Sequence, residues 1–185
     1  MLTLLLVGGA AILLAMAVVG IYNSFVGLNV KAENAWSDID VQLKRRYDLI
    51  PNVVETVKGY AGHERQTLEA VVNARSRAVS VQNAGPAERS QAEGALTSAL
   101  RGLFALAEAY PQLRAAENFG QLQTTLADIE NAIQNARRYY NAVVRDLNTR
   151  VQQFPSNLVA GLFGFRNREF FEVPDAQKET PQVKF

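Results

Sequence analysis

Cysteine is missing from the 185-residue chain, which excludes a disulfide framework, a thiol nucleophile, a cysteine zinc site and attachment of lipid through a thiol. Histidine is nearly missing as well. His63 stands alone, and one imidazole cannot build the multi-histidine sites that most transition metals prefer. Neither sign of charge is in excess, with Lys+Arg 19 against Asp+Glu 18, so no global field draws the chain to nucleic acid or to a strongly acidic partner. Catalytic signatures are lacking too. There is no phosphate-cradling G-x-x-x-x-G-K-[ST] loop and no G-x-S-x-G serine elbow. A di-iron bundle needs Glu-x-x-His pairs, whereas Tyr60 precedes His63 by three residues. These shortages argue against an enzyme and against any bound cofactor or metal.

The most informative absence is local. Met1 to Asn29 holds no Asp, Glu, Lys, Arg or His, and Lys31 is the first charge. Within it, Leu2 to Tyr22 reads LTLLLVGGAAILLAMAVVGIY, the roughly 20 apolar residues that a helix needs to cross about 30 Å of hydrocarbon. Residues 2–22 are therefore expected to contact the lipid bilayer as a transmembrane helix. Gly8 and Gly9 give it a small-sided stretch of the kind that lets membrane helices approach closely. Ala15-Met16-Ala17 admits the alternative of a cleaved signal peptide, against which stands the lack of a basic n-region. Lys31 and Lys44-Arg45-Arg46 follow the apolar segment, and by the positive-inside rule they favour a cytoplasmic placement of the remaining chain over the external face of the membrane.

Beyond Tyr22 the apolar residues recur with helical period. Phe119, Leu122, Leu126, Ile129, Ile133, Ala136, Tyr140, Val143 and Leu147 alternate steps of three and four, continuing to Arg150 and Phe154. This predicts one helix from about Pro111 to Phe154, roughly 60 Å long. Trp36, Ile39, Leu43, Arg46, Ile50, Val53, Val57 and Tyr60 form a second seam through Pro51, which predicts either a kink or a restart there. Leu68, Val71, Val72, Ala78 and Val79 mark a further helix ending by Gly85-Pro86, and Leu96, Leu100, Leu103 and Phe104 another ending at Tyr110-Pro111. The expected fold is all-α: the N-terminal transmembrane helix continues into an antiparallel up-and-down bundle of three or four long helices. The expected divisions are an anchor and short connection over residues 1–29, a bundle over 30–155, an apolar C-terminal cap over 156–173 and a loose tail over 174–185.

Four groups of residues stand out from this frame. Arg46 falls on the apolar seam, and a buried arginine without a partner is very costly, so it is expected to pair with Glu130 or Asp128 on the long helix. Arg138, Tyr139 and Arg145 form a candidate interaction surface off the core seam. Leu158, Leu162, Phe163, Phe165, Phe170 and Phe171, with Arg166 and Arg168 among them, suit either a membrane-interface element or a cap over the bundle end. Gly8 and Gly9 are the fourth group, a candidate packing face of the membrane helix.

Asp38 to Glu64 (DIDVQLKRRYDLIPNVVETVKGYAGHE), Tyr110 to Gln123 (YPQLRAAENFGQLQ), Ile129 to Pro155 (IENAIQNARRYYNAVVRDLNTRVQQFP) and Gly164 to Glu172 (GFRNREFFE) resemble the LemA family over nearly the whole chain. The resemblance implies a bacterial, membrane-anchored helical bundle with no established enzymatic activity, among relatives associated with membrane organisation. The functional expectation is a structural or protein-interaction scaffold that meets itself, as a homo-oligomer, or another membrane protein. A sensor that binds a small ligand between the bundle helices is the alternative.

Overall fold

Sixty consecutive residues, Leu2 to Ala61, form a single helix in the computed structural model, which describes residues 1–172. The elements are α1 (Leu2–Ala61), α2 (Arg65–Ser80), α3 (Pro86–Glu108), α4 (Pro111–Arg114), α5 (Glu117–Gln152) and α6 (Ser156–Phe163). No strand occurs among the described residues, and the fold is an all-α bundle. The tail expected over residues 174–185 lies outside the described residues.

The character of α1 changes along its length. Its N-terminal third is apolar and exposed, with an 18-residue window of mean hydropathy 2.7 and none of it buried, so it is the one described helix of spanning length and composition. From Phe25 onward an inward stripe appears at Phe25, Ala32, Ala35, Ile39, Leu43, Arg46, Ile50, Val53 and Val57, all buried. That is the heptad-like spacing that one packed helix face demands.

Pro51 neither ends α1 nor restarts it. A proline inside a helix has no N–H for the carbonyl four residues back, which here belongs to Tyr47. Arg75 of α2 supplies the missing donor, its Nε giving a hydrogen bond to the Tyr47 carbonyl at 2.7 Å. A gap in one helix thereby becomes a point of attachment for another.

Packing divides the described residues into two compact units, the first made of Met1–Ser37 with Arg138–Arg168 and the second of Asp38–Arg137 with residues 169–172. In the second unit the helices alternate in direction. Tyr47 of α1 meets Arg75 of α2 and Arg46 meets Thr97 of α3, while Phe104 of α3 faces Phe119 of α5 with ring centroids 6.2 Å apart. The core between them is filled by Ile50, Val53 and Val57, by Leu68 and Val71, by Leu96 and Leu103, and by Leu126, Ile129 and Ile133. Pro86 and Pro111 open α3 and α4 at their first turns, where a missing N–H costs nothing.

In the first unit the C-terminal half of α5 runs back along α1. Trp36 and Tyr140 pack with centroids 5.1 Å apart, and further along Leu147 joins Phe25 in a small core closed by Ala160 of α6. Gly164 ends α6 in the left-handed region at φ 77°, where a Cβ is strained. The turn aims Phe165 at α1.

Two sequence expectations need correction. The helix expected from Pro111 to Phe154 is broken: α4 closes after Arg114, with Ala115 and Ala116 donating to the carbonyls of Pro111 and Leu113, and α5 starts at Glu117. The break turns Leu113 inward until it is fully buried. At the seam ends, Tyr60 and Phe154 are exposed, because Ala61 takes the inward position in place of Tyr60 and Phe154 lies past the end of α5.

Candidate functional site

The second unit encloses a polar cluster where an apolar core would otherwise continue. Arg46, only 2 % exposed, lies on the inward stripe of α1 between Leu43 and Ile50. Its Nη1 donates to Glu130 Oε2 at 2.8 Å, and its Nη2 donates to Thr97 Oγ1 at 2.9 Å and to the Glu93 carbonyl at 3.3 Å. Glu93 Oε2 stands 3.6 Å from the same nitrogen, and the Tyr47 hydroxyl donates to the other carboxylate oxygen of Glu93. Beside this group Arg89 pairs with Asp40 at 2.6 Å. Three helices, α1, α3 and α5, thus meet on one guanidinium.

Burial pushes the Glu93 carboxyl above the ordinary carboxylate range, and the nearby Arg46 guanidinium offsets this only in part. Burial, with the Glu93 charge next in weight, also pushes the Tyr47 phenol up, so Tyr47 is a fixed donor and no base. Among the described residues no group of three or more His, Asp or Glu side chains is arranged to hold a metal. What the cluster can do is fix the register of three helices: each hydrogen bond is directional, and sliding any helix by a turn would strand a buried charge.

Asp128, the other acid proposed for Arg46, is exposed. Glu93, Arg89 and Tyr47 were not identified from the sequence. A signal for the first two was present, since Arg89, Glu93, Leu96, Leu100, Leu103 and Ala107 step by four and three along α3 and are all buried. Both lie N-terminal to Leu96, where the strongly apolar part of the face begins. The Asp40 and Arg75 contacts join separate helices and leave no periodic trace.

A second group gathers in the first unit, where the apolar third of α1 ends. Phe165 stacks on Phe25 with centroids 4.6 Å apart and packs edge-on against Tyr22 at 5.6 Å, while Phe163 meets Tyr22 at 4.9 Å. Asn148 grips the backbone of Arg168 at two points, donating to its carbonyl at 2.9 Å and accepting from its N–H at 2.8 Å. The Arg168 side chain then reaches Asn29 Oδ1 at 3.2 Å and Glu33 Oε1 at 2.8 Å. Leu158 and Leu162 of α6 stay exposed.

The apolar C-terminal segment therefore has more than one surrounding. Phe165 is half-buried in the first unit, Phe170 is partly buried, and Phe171 is buried in the second unit. Arg138, Tyr139 and Arg145 are exposed on α5. Gly8 and Gly9 are open, with nothing within 4 Å of where a Cβ would stand.

The family model described as the LemA family matches residues 35–185. The chain belongs to the LemA family. Magnetosome protein MamQ of Magnetospirillum gryphiswaldense is 26 % identical over 189 residues, covering 88 % of this chain and 70 % of the relative. Magnetosome protein MamQ 1 of Paramagnetospirillum magneticum is 24 % identical over the same shares. Protein LemA of Metamycoplasma hominis is 26 % identical over 162 residues, 86 % of this chain and 73 % of the relative. The stretches that first suggested LemA carry Arg46, Tyr47, Glu130, Asn148, Phe165, Arg168 and Phe171, the side chains that tie helices and the C-terminal segment together.

Proposed function

We propose that this chain is a non-catalytic scaffold of the bacterial cytoplasmic membrane, anchored by residues 2–22, with its bundle on the cytoplasmic side and available to a second copy or another membrane protein. The observation that carries the reading is the arrangement at Tyr22. There the exposed apolar third of α1 ends against Phe163 and Phe165, and Leu158 and Leu162 remain uncovered. A short helix with exposed leucines beside the end of a spanning segment is suited to lie in the headgroup layer, giving the domain a second hold on the bilayer. The register-fixing cluster around Arg46 supports a load-free, structural use of the bundle interior. The relatives named as magnetosome proteins are consistent with a part in membrane organisation.

The test is crosslinking in intact bacterial membranes from photoreactive residues placed at Tyr139 and Thr124, with mass identification of the adducts. Adducts with the same chain or with one defined membrane protein support a scaffold. Absence of any protein adduct from both positions overturns it. Sidedness is read from a Thr124→Cys variant, since no other thiol competes. Labelling by an impermeant maleimide only after the cytoplasmic membrane is opened agrees with the proposal, and labelling of intact spheroplasts refutes it.

One observation favours a second reading, in which the bundle senses a small ligand. A cleft of about 260 Å³ opens beside the Arg46–Glu130 pair, lined also by Thr97, Phe104 and Gln134. A saturable rise in melting temperature with a small polar compound, abolished by Thr97→Leu, would favour this reading over the scaffold.

A further inference from the structure

A second cleft, of about 520 Å³, lies in the first unit where α5 passes α1. Ser24, Gly27 and Lys31 line it from α1, and Arg145, Thr149 and Arg150 from α5. Asp146 is the one carboxylate on its wall, so three cationic side chains face a single acid. Among the described residues no carboxylate lies within ion-pairing distance of Lys31, Arg145 or Arg150. Three like charges gathered around a concave surface repel one another, and the natural compensation is an anion. Guanidinium groups beside hydroxyls are the recurring donors for phosphate oxygens.

The depth of the cleft says where such an anion comes from. At about 1.5 Å per residue, Ser24 lies about 3 Å, Gly27 about 8 Å and Lys31 about 14 Å beyond Tyr22 along α1. The headgroup layer is about 5–8 Å deep on each face of a bilayer. The floor of the cleft, Ser24 to Gly27, therefore falls within the headgroup layer, and the long Lys31 side chain can reach back to it. Gly27 leaves that floor open, with nothing within 4 Å of where its Cβ would be.

We propose that this cleft binds the phosphate of an anionic membrane lipid, a phosphatidylglycerol-type headgroup, held by Arg145, Arg150 and Lys31 with Ser24 and Thr149 as hydroxyl donors. The site rests on the reading that residues 2–22 span the bilayer. Bound lipid would join α1 to α5 next to the membrane surface and make the seating of the domain depend on the anionic lipid content of the leaflet.

The test follows lipid adducts of the full-length protein by native mass spectrometry, titrating dioctanoyl-phosphatidylglycerol, dioctanoyl-phosphatidylcholine and inorganic phosphate. A single saturable phosphatidylglycerol adduct is expected, weakened about thirtyfold by Arg145→Gln with Arg150→Gln, from two basic contacts near a membrane surface. Gly27→Leu fills the floor and should weaken it at least tenfold. It also replaces a helix-interior glycine with a better helix former, so its folding is not at risk if the double variant fails. Lys58→Gln with Arg65→Gln, exposed and remote in sequence, should bind as the parent does. Equal binding of phosphatidylcholine, unchanged binding by Gly27→Leu, or displacement by equimolar inorganic phosphate would each overturn the proposal. Carbonate extraction of native membranes separates the two readings: release of the protein sinks the spanning segment, whereas retention with no lipid preference sinks only the cleft.

Discussion

Replacing Arg75 by Met should expose how much α1 depends on α2. The Tyr47 carbonyl has lost its helical donor to Pro51, and Tyr47 itself is 6 % exposed. The Arg75 hydrogen bond at 2.7 Å is charge-assisted, a class that contributes about 1.5–3 kcal/mol net. Arg75 is only partly buried, so water can recover a share, and a loss of about 1.5–2 kcal/mol is expected. The informative comparison is the same change made in a Pro51→Ala background. Alanine restores an N–H in position to bond the Tyr47 carbonyl, so there the loss of Arg75 should cost about 0.5 kcal/mol or less. The coupling between the two sites is then about 1 kcal/mol or more, well outside the scatter of about 0.3–0.5 kcal/mol for independent sites. Urea denaturation of the full-length chain in mild detergent, followed by far-UV circular dichroism, measures all four proteins. Additive free energies within that scatter would refute the idea that Arg75 fills the gap left by Pro51.

Further outcomes follow from the polar cluster and from the turn that ends α6. Arg46→Met should cost about 3–5 kcal/mol, because it leaves Glu93 buried without its cation, whereas Glu130→Gln should cost under about 1 kcal/mol, since the Glu130 side chain is 36 % exposed. Combining Arg46→Met with Glu93→Gln should be milder than Arg46→Met alone, and a double variant less stable than the single one in denaturant would contradict this. Glu93, raised by burial, holds its proton more tightly folded than unfolded. Its contribution is present in full below the ordinary carboxyl value of about 4.5 and is lost as pH rises through the folded value. Glu93→Gln should therefore gain stability relative to the parent between pH 4 and pH 8, and a melting-temperature difference that is flat or of opposite sign would exclude this. Gly164→Ala places a Cβ at φ 77° and should cost about 1 kcal/mol, which thermal melting would show as a lower midpoint. An unchanged midpoint would mean that the α6 turn relaxes freely.

Periodicity was a good guide to whatever it can encode. The inward stripe of α1 and most of the α5 seam were legible because a packed helix must repeat its apolar residues every three or four positions, and Arg46 drew notice as an ionic group on such a stripe. Arg89 and Glu93 sat on an equally regular stripe in α3. There the two ionic residues lie at its weakly apolar start, before Leu96 begins the strong run, so the face was read from Leu96 onward. Pro51 could be seen to disturb α1 as a kink or a restart, but the group that fills the gap it leaves, Arg75, is 24 residues away and on a different helix. The break at Ala115 and Ala116 escaped because alanine is a good helix former, and the burial of Leu113 outweighs that local preference. The basic cleft was illegible for the same reason as the Arg75 contact. Lys31 and Arg145 are far apart in sequence, and only the antiparallel course of α1 and α5 sets them on one surface.

The continuity of α1 has a consequence for how this domain can leave the membrane. Many membrane-tethered domains are shed by proteases that cut an extended, accessible stretch between anchor and fold, and such cuts fall mostly at exposed, poorly hydrogen-bonded segments. Here the residues after Tyr22 are already helical, and Phe25, Ala32 and Ala35 are buried. The place where a stalk would be cleaved is part of the fold. With residues 2–22 in the bilayer, as proposed, release by proteolysis would have to unwind α1 first.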